Sequence, residues 1–153
     1  MSAVTPCLWF DDRIEEAVRF YVDTFGGASA VGDMLRYPDG RVLTIEFKLR
    51  GQDFMALNGG PHFKFNEAVS FTVDCADQAE VDYFWEALTA EGGEESMCGW
   101  LKDRYGLSWQ IVPRRLMQLH KDPDPARAAR AMAAMMQMRK IIVADLERAA
   151  DAA

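Results

Sequence analysis

The clearest signal along the chain is an alternation. Between Arg41 and Arg50, the apolar residues Leu43, Ile45, Phe47 and Leu49 alternate with Val42, Thr44, Glu46 and Lys48, which predicts a half-buried antiparallel strand. Upstream, Val4–Phe10 is a short apolar run that reads as a strand. Ile14, Ala17, Val18, Tyr21, Val22 and Phe25 then recur at helical spacing, with Asp11 or Asp12 as the expected cap and Gly26-Gly27 as the stop. Ala28–Tyr37 reads as a strand, Tyr37-Pro38-Asp39-Gly40 as a turn, and Asp53–Leu57 as a strand after the Gly51-Gln52 turn. Pro38 presets φ for that first turn and Gly40 tolerates its exit. Asn58-Gly59-Gly60-Pro61 ends the unit.

The same order then returns. Ala68–Cys75 reads as a strand, Asp77 caps a helix running to about Glu91 with Val81, Phe84, Trp85 and Leu88 inward, and Gly92-Gly93 stops it. Short strands follow at Glu94–Cys98, Trp100–Asp103 and Ser108–Val112. Asp11 to Asp77 and Gly26 to Gly92 are both 66 residues, so a β-α-β-β-β unit occurs twice. Past Pro123 and Pro125, the stretch from Ala126 to Ala150 has no Gly or Pro and is rich in Ala, Met, Arg and Leu. It predicts one long helix with an apolar stripe of Met132, Met135, Met136, Ile142, Val143 and Leu146. The expected organisation is a body over residues 1–121, with unit one at 3–60 and unit two at 66–116, and a helical appendage at 122–153.

Charge narrows the partners. The chain carries a net charge of -7, and residues 125–153 hold five Lys/Arg against three Asp/Glu, so the acidity lies in the body. An acidic body repels nucleic acid and anionic lipid, and neither partner is expected. No apolar run approaches the length of a membrane span, and the N-terminus lacks the basic and long apolar regions of a secretory signal. Cys7, Cys75 and Cys98 are odd in number and scattered, which reads as reduced, largely buried thiols of a cytoplasmic protein.

Four segments resemble one family: Thr5-Pro6-Cys7-Leu8-Trp9-Phe10, Glu16-Ala17-Val18-Arg19-Phe20-Tyr21, Ala56-Leu57-Asn58-Gly59-Gly60-Pro61 with Phe63-Lys64-Phe65 after it, and Trp109-Gln110-Ile111-Val112-Pro113. They are similar to the PhnB-like branch, also labelled 3-demethylubiquinone-9 3-methyltransferase-like, of the vicinal oxygen chelate superfamily of glyoxalases, bleomycin-resistance proteins and dioxygenases. The resemblance spans about residues 3–116. It implies an α+β fold, with two βαβββ units forming a paired half-barrel and a C-terminal helix added. The chain has no Gly-rich strand-to-helix turn of the kind that holds S-adenosylmethionine, so methyl transfer is not expected.

The resemblance also locates where metal-dependent members carry His, Gln or Glu: four inward positions on the first and last strands of each unit. Counting back from the capping aspartates gives Thr5 and Ser70; matching Gly51 to Gly106 gives Met55 and Gln110. A thioether and two hydroxyls are poor ligands for a hard cation. The two histidines, His62 and His120, build no zinc cluster, so no metal or other cofactor is expected. Strand alternation turns Thr5, Cys7 and Trp9, with Ser70, Thr72 and Gln110, toward a cleft. Glu46, Met55, Asn58 and Trp100 complete the candidate pocket for a small molecule. The function expected is metal-free binding of that molecule, with or without turnover. The alternatives are a metal-dependent lyase, isomerase or dioxygenase, and a drug-sequestering resistance protein. The apolar stripe of the last helix needs cover, which points to a homodimer.

Overall fold

Cys7–Phe10 (β1) alternates as a half-buried strand must: Leu8 and Phe10 are buried, while Cys7 and Trp9 face the other way. The structure is a computed structural model and describes residues 2–152. Helix Ile14–Phe25 (α1) buries Ile14, Ala17, Val18, Tyr21 and Phe25 along one stripe, each worth roughly 1.5–3 kcal/mol when a large apolar side chain is fully covered. The aspartate cap expected for this helix is not formed. Arg13 stands at the cap in a left-handed conformation, φ 68°, and Asp12 accepts from the Arg13 N–H, at 2.7 Å, and not from a helical amide. The first helical amide, that of Ile14, instead donates to the side-chain oxygen of Asn58, at 3.2 Å.

Ala30–Arg36 (β2), Val42–Leu49 (β3) and Gln52–Asn58 (β4) complete the first sheet, in the order β1-β4-β3-β2. β1 runs parallel to β4, and the other neighbours are antiparallel. The β3–β4 connection is Arg50-Gly51, both at positive φ, the twist a two-residue hairpin turn requires. The register between β2 and β3 slips between Leu35 and Arg36. That bulge shifts the parity of β3: Val42 is buried and Leu43 is not, the reverse of the unbroken alternation expected. Ile45, Phe47 and Leu49 keep their places in the core.

The second unit repeats this topology. Ser70–Cys75 (β5), Glu94–Glu95 (β6), Trp100–Lys102 (β7) and Ser108–Pro113 (β8) form a sheet in the order β5-β8-β7-β6, with β5 parallel to β8. Helix Gln78–Thr89 (α2) has the expected cap, Asp77 accepting from the Glu80 N–H at 3.0 Å, while the Glu80 carboxylate reaches back to the Ala76 N–H. Trp109 is 2% exposed, and its indole N–H donates to the equally buried Asp103 at 2.8 Å. The architecture is thus α+β, with two βαβββ units, and the chain divides into compact portions Met1–Phe65 and Asn66–Ala153.

The C-terminal stretch corrects the expectation of one long helix. Three helices follow β8: Arg114–His120 (α3), Pro125–Met135 (α4) and Val143–Asp151 (α5). Helix propensity favoured continuity, but tertiary bonding overrides it between α4 and α5. There, the carbonyls of Met138 and Arg139 accept from the Cys98 and Gly99 N–H groups at 2.7 and 2.8 Å, and Ile141 is fully buried. Gln78 fixes the restart, its amide donating to the Ile141 carbonyl (3.0 Å) and accepting from the Val143 N–H (2.8 Å). Leu116, Leu119, Ala131, Ile141, Leu146 and Ala150 form one core. The stripe is therefore partly buried in its own unit, with Met132 and Met136 left exposed.

Candidate functional site

Each sheet buries one face under its helix and presents the other. On the first sheet, register aligns Cys7, Met55 and Glu46 in one row and Trp9, Leu57 and Thr44 in the next. Met55 and Glu46 are half-buried. Cys7 is exposed, not buried as the composition suggested, and partial burial of its thiol raises its pKa above the usual value. A protonated thiol is a poor nucleophile. Thr5 lies ahead of β1, and its hydroxyl donates to the Ser2 carbonyl at 3.1 Å. A cavity of about 240 Å³ opens beside Glu46 between β2, β3 and β4.

Two candidates on this unit also hold the fold together, and one of them, Asn58, lines a cavity with Asp11, Tyr37 and Arg41. Asn58 accepts from the Ile14 N–H and donates to the Val42 carbonyl at 3.0 Å, so its amide ties the start of α1 to β3. Trp9 donates its indole N–H to the Gly60 carbonyl at 2.9 Å and meets Phe63 edge-on, with centroids 4.9 Å apart. Its ring covers Gly59 so closely that a Cβ there would sit 2.6 Å from Cδ2. The Asn-Gly-Gly segment is thus a clamp that fixes a helix start and an indole wall.

On the second sheet, the row Thr72–Gln110–Trp100 crosses β5, β8 and β7, and the row Ser70–Ser108–Lys102 runs beside it, ending at Glu94 on β6. The Gln110 amide donates to the Ser70 hydroxyl at 2.9 Å, which leaves its carbonyl oxygen directed by that bond. Trp100 is half-buried and Thr72 exposed. A cavity of about 160 Å³ is lined by Glu67, Glu94, Ser96, Trp100, Lys102 and Ser108, among others. Lys102 is paired with Glu67, which lowers the pKa of the glutamate and raises that of the lysine. Lys102, Glu67 and Glu94 were absent from the sequence expectation, because only the strand register puts Lys102 and Glu94 beside Ser108, and Glu67 joins them from outside the sheet through its ion pair with Lys102.

The four positions where metal-dependent relatives carry ligands hold Thr5, Met55, Ser70 and Gln110. Thr5 is turned to a backbone carbonyl, and Ser70 and Gln110 are bonded to each other. Among the described residues, no three His, Cys, Asp or Glu side chains converge as a metal would need. This donor set does not fit a divalent cation.

A βαβββ unit used twice, each with a mixed four-stranded sheet, is the vicinal oxygen chelate fold. The family model described as 3-demethylubiquinone-9 3-methyltransferase matches residues 2–112, and the chain belongs to that family. A Bacillus cereus PhnB protein, described as a 3-demethylubiquinone-9 3-methyltransferase, is 31% identical with a TM-score of 0.67, over 73% of this chain and 99% of that one. A Pseudomonas aeruginosa protein is 21% identical (TM-score 0.61; 74% of this chain, 98% of that one). The fosfomycin resistance protein FosX of Listeria monocytogenes shares the fold at 13% identity (TM-score 0.55; 72% of this chain, 91% of that one). The comparison with curated proteins gives no match.

Proposed function

We propose that this PhnB-like protein binds a small organic molecule on the open face of its second sheet, without a resident metal. The observation that carries the reading is the Gln110–Ser70 hydrogen bond beside Trp100: an oriented amide next to an aromatic wall is how small-molecule sites fix a ligand. The metal-dependent lyase, isomerase or dioxygenase reading asks Thr5 and Met55 to do work for which they are poorly suited. Elemental analysis together with thermal melts in a ligand screen tests the proposal. Compounds that bind should raise the melting temperature by mass action and shift the NMR signals of Gln110 and Trp100, while zinc, manganese and nickel leave both unchanged. Close to one metal ion per chain, with stability that depends on it, would overturn the reading.

The sequestering reading differs only in whether the molecule is turned over, and the acidity of the body supports a cationic cargo. We also propose that residues 122–153 are an addition to the two-unit domain of 1–121, which the family match over 2–112 supports. Cysteines that are few, odd in number and scattered support a cytoplasmic setting, and no helix among the described residues is long and apolar enough to cross a membrane. For assembly we propose a homodimer, in which edge strand β2 meets its copy. Every residue of β2 is exposed, including Val31, Met34 and Leu35.

A further inference from the structure

The second-sheet cavity has features that specify more than a generic ligand. Ser108 is 1% exposed, its hydroxyl has no hydrogen-bond partner among the described residues, and it lines the cavity. Register places its side chain on the same face as Lys102 and Gln110, opposite the buried Trp109. A buried hydroxyl without a partner costs free energy, and native proteins leave few of them. The charge around it is lopsided. Glu67, Glu94 and Glu95 line the cavity with one lysine, Lys102, and Arg139 lies beyond Glu95. Lys102 is held by Glu67, and Glu95 accepts from the Trp85 indole at 2.6 Å and pairs with Arg139 at 3.7 Å. Glu94 stands across the ladder from Lys102, close enough to act on its charge, and is the carboxylate of the three with no ion pair or side-chain hydrogen bond among the described residues, with Ser96 and Trp100 as further walls.

We infer that this cavity takes the ammonium group of a small primary amine, with Glu94 and the Ser108 hydroxyl as acceptors and the Trp100 ring as an apolar and cation–π wall. The inference rests on the proposed ligand face and names the class of ligand it admits. A primary ammonium offers three N–H donors and no acceptor, which matches a lining of carboxylates and hydroxyls. An aromatic face beside it adds attraction without a further hydrogen bond. An anion would have to displace Glu67 from Lys102 while facing two more carboxylates. The volume of about 160 Å³ corresponds to about five waters, so the group admitted is an alkylammonium of a few carbons or the end of a longer amine.

The test is a titration of the full-length, isotope-labelled protein with ethanolamine, putrescine, choline, acetate and phosphate, read by amide and indole NMR shifts. Ethanolamine and putrescine should move the Trp100 indole, Ser96 and Lys102 signals, with choline, which has no N–H, weaker and the anions silent there. Glu94→Gln should weaken the amines about tenfold, the loss expected for a charge-assisted hydrogen bond, and Glu86→Gln on the far side of α2 should not. Ser108→Ala should fold as well as the parent or better, since it removes an unsatisfied hydroxyl, yet weaken ethanolamine more than choline. Anions moving these signals while amines do not, or amine shifts indifferent to both variants, would overturn the inference and leave the ligand face standing. If none of the probes, nor any compound of a broader screen, moves Trp100 or Gln110, the ligand face falls as well.

Discussion

The ring of Trp9 occupies the space that a side chain at residue 59 would need, with Cδ2 2.6 Å from the position of a Cβ there. The indole has little freedom to yield, because its N–H is bound to the Gly60 carbonyl and Phe63 abuts its edge. Gly59→Ala should therefore destabilise the first unit by about 1–3 kcal/mol, as overpacking does, and displace the Trp9 indole signal in an NMR spectrum. A variant that melts like the parent with that signal unmoved would show the clamp to be loose.

Much of this arrangement was legible in the sequence, and the part that was not has a physical cause. Period-two alternation placed Leu8, Phe10, Trp109 and Ile111 under helices, and all four are buried. The same rule failed at Val42 and Leu43, because a bulge inserts a residue without leaving a mark in the hydrophobic pattern. Asn58, read as a pocket residue, lines a cavity and also ties α1 to β3. Nothing local reveals that its amide is spent on Ile14, 44 residues away. The second-sheet face was only half visible for the same reason. Trp100, Ser70 and Gln110 stand out by type, but Lys102 and Glu94 acquire meaning only from the register that sets them beside Ser108.

The break between α4 and α5 makes a claim about stability. Ile141 is fully buried, and the carbonyls just before it hold the Cys98-Gly99 turn. Ile141→Ala should cost about 2–5 kcal/mol in chemical denaturation, the range for a large-to-small change in a core. It should also raise amide exchange at Cys98 and Gly99, which a helix packed independently of β7 would not do. Unchanged exchange at those two amides would separate the C-terminal helices from the second sheet.

Asp53 makes a prediction about acid. The Ser2 hydroxyl, at 2.6 Å, and then the Lys48 ammonium, at 3.0 Å, hold its pKa at about 2 against an ordinary 3.8. Because the folded value lies below the unfolded one, the contribution to stability is complete above the unfolded pKa and is lost as pH falls from there toward about 2. Carboxyl-carbon NMR should find Asp53 still ionised at pH 3. Ser2→Ala and Lys48→Met should each move its titration upward. A midpoint near the ordinary value in the parent protein would mean that neither contact persists in solution.

Assembly turns on β2. The stripe that first suggested a dimer is partly covered within its own unit, where Leu146 is buried and Ile142 and Val143 are half-buried, so the last helices no longer supply the reason to associate. The edge of the first sheet supplies another. β2 is seven residues long, hydrogen-bonded on one side only, and exposes Val31 at 37%, Met34 at 43% and Leu35 at 58%. An open edge of this kind is a template for another strand unless it is charged or covered. Asp33 and Arg36 are its only charged side chains, and two copies related by a two-fold axis would set the same patch against itself. Sedimentation at about 50 μM, where a dimer with a micromolar Kd is largely formed, should therefore give twice the 17.2 kDa chain mass. Met34→Lys together with Leu35→Lys should return the protein to one chain without lowering its melting temperature beyond the loss of association, because neither side chain is in the core. A parent protein that sediments as a single chain would leave β2 a tolerated edge, kept from aggregating by its bulge and its two charges.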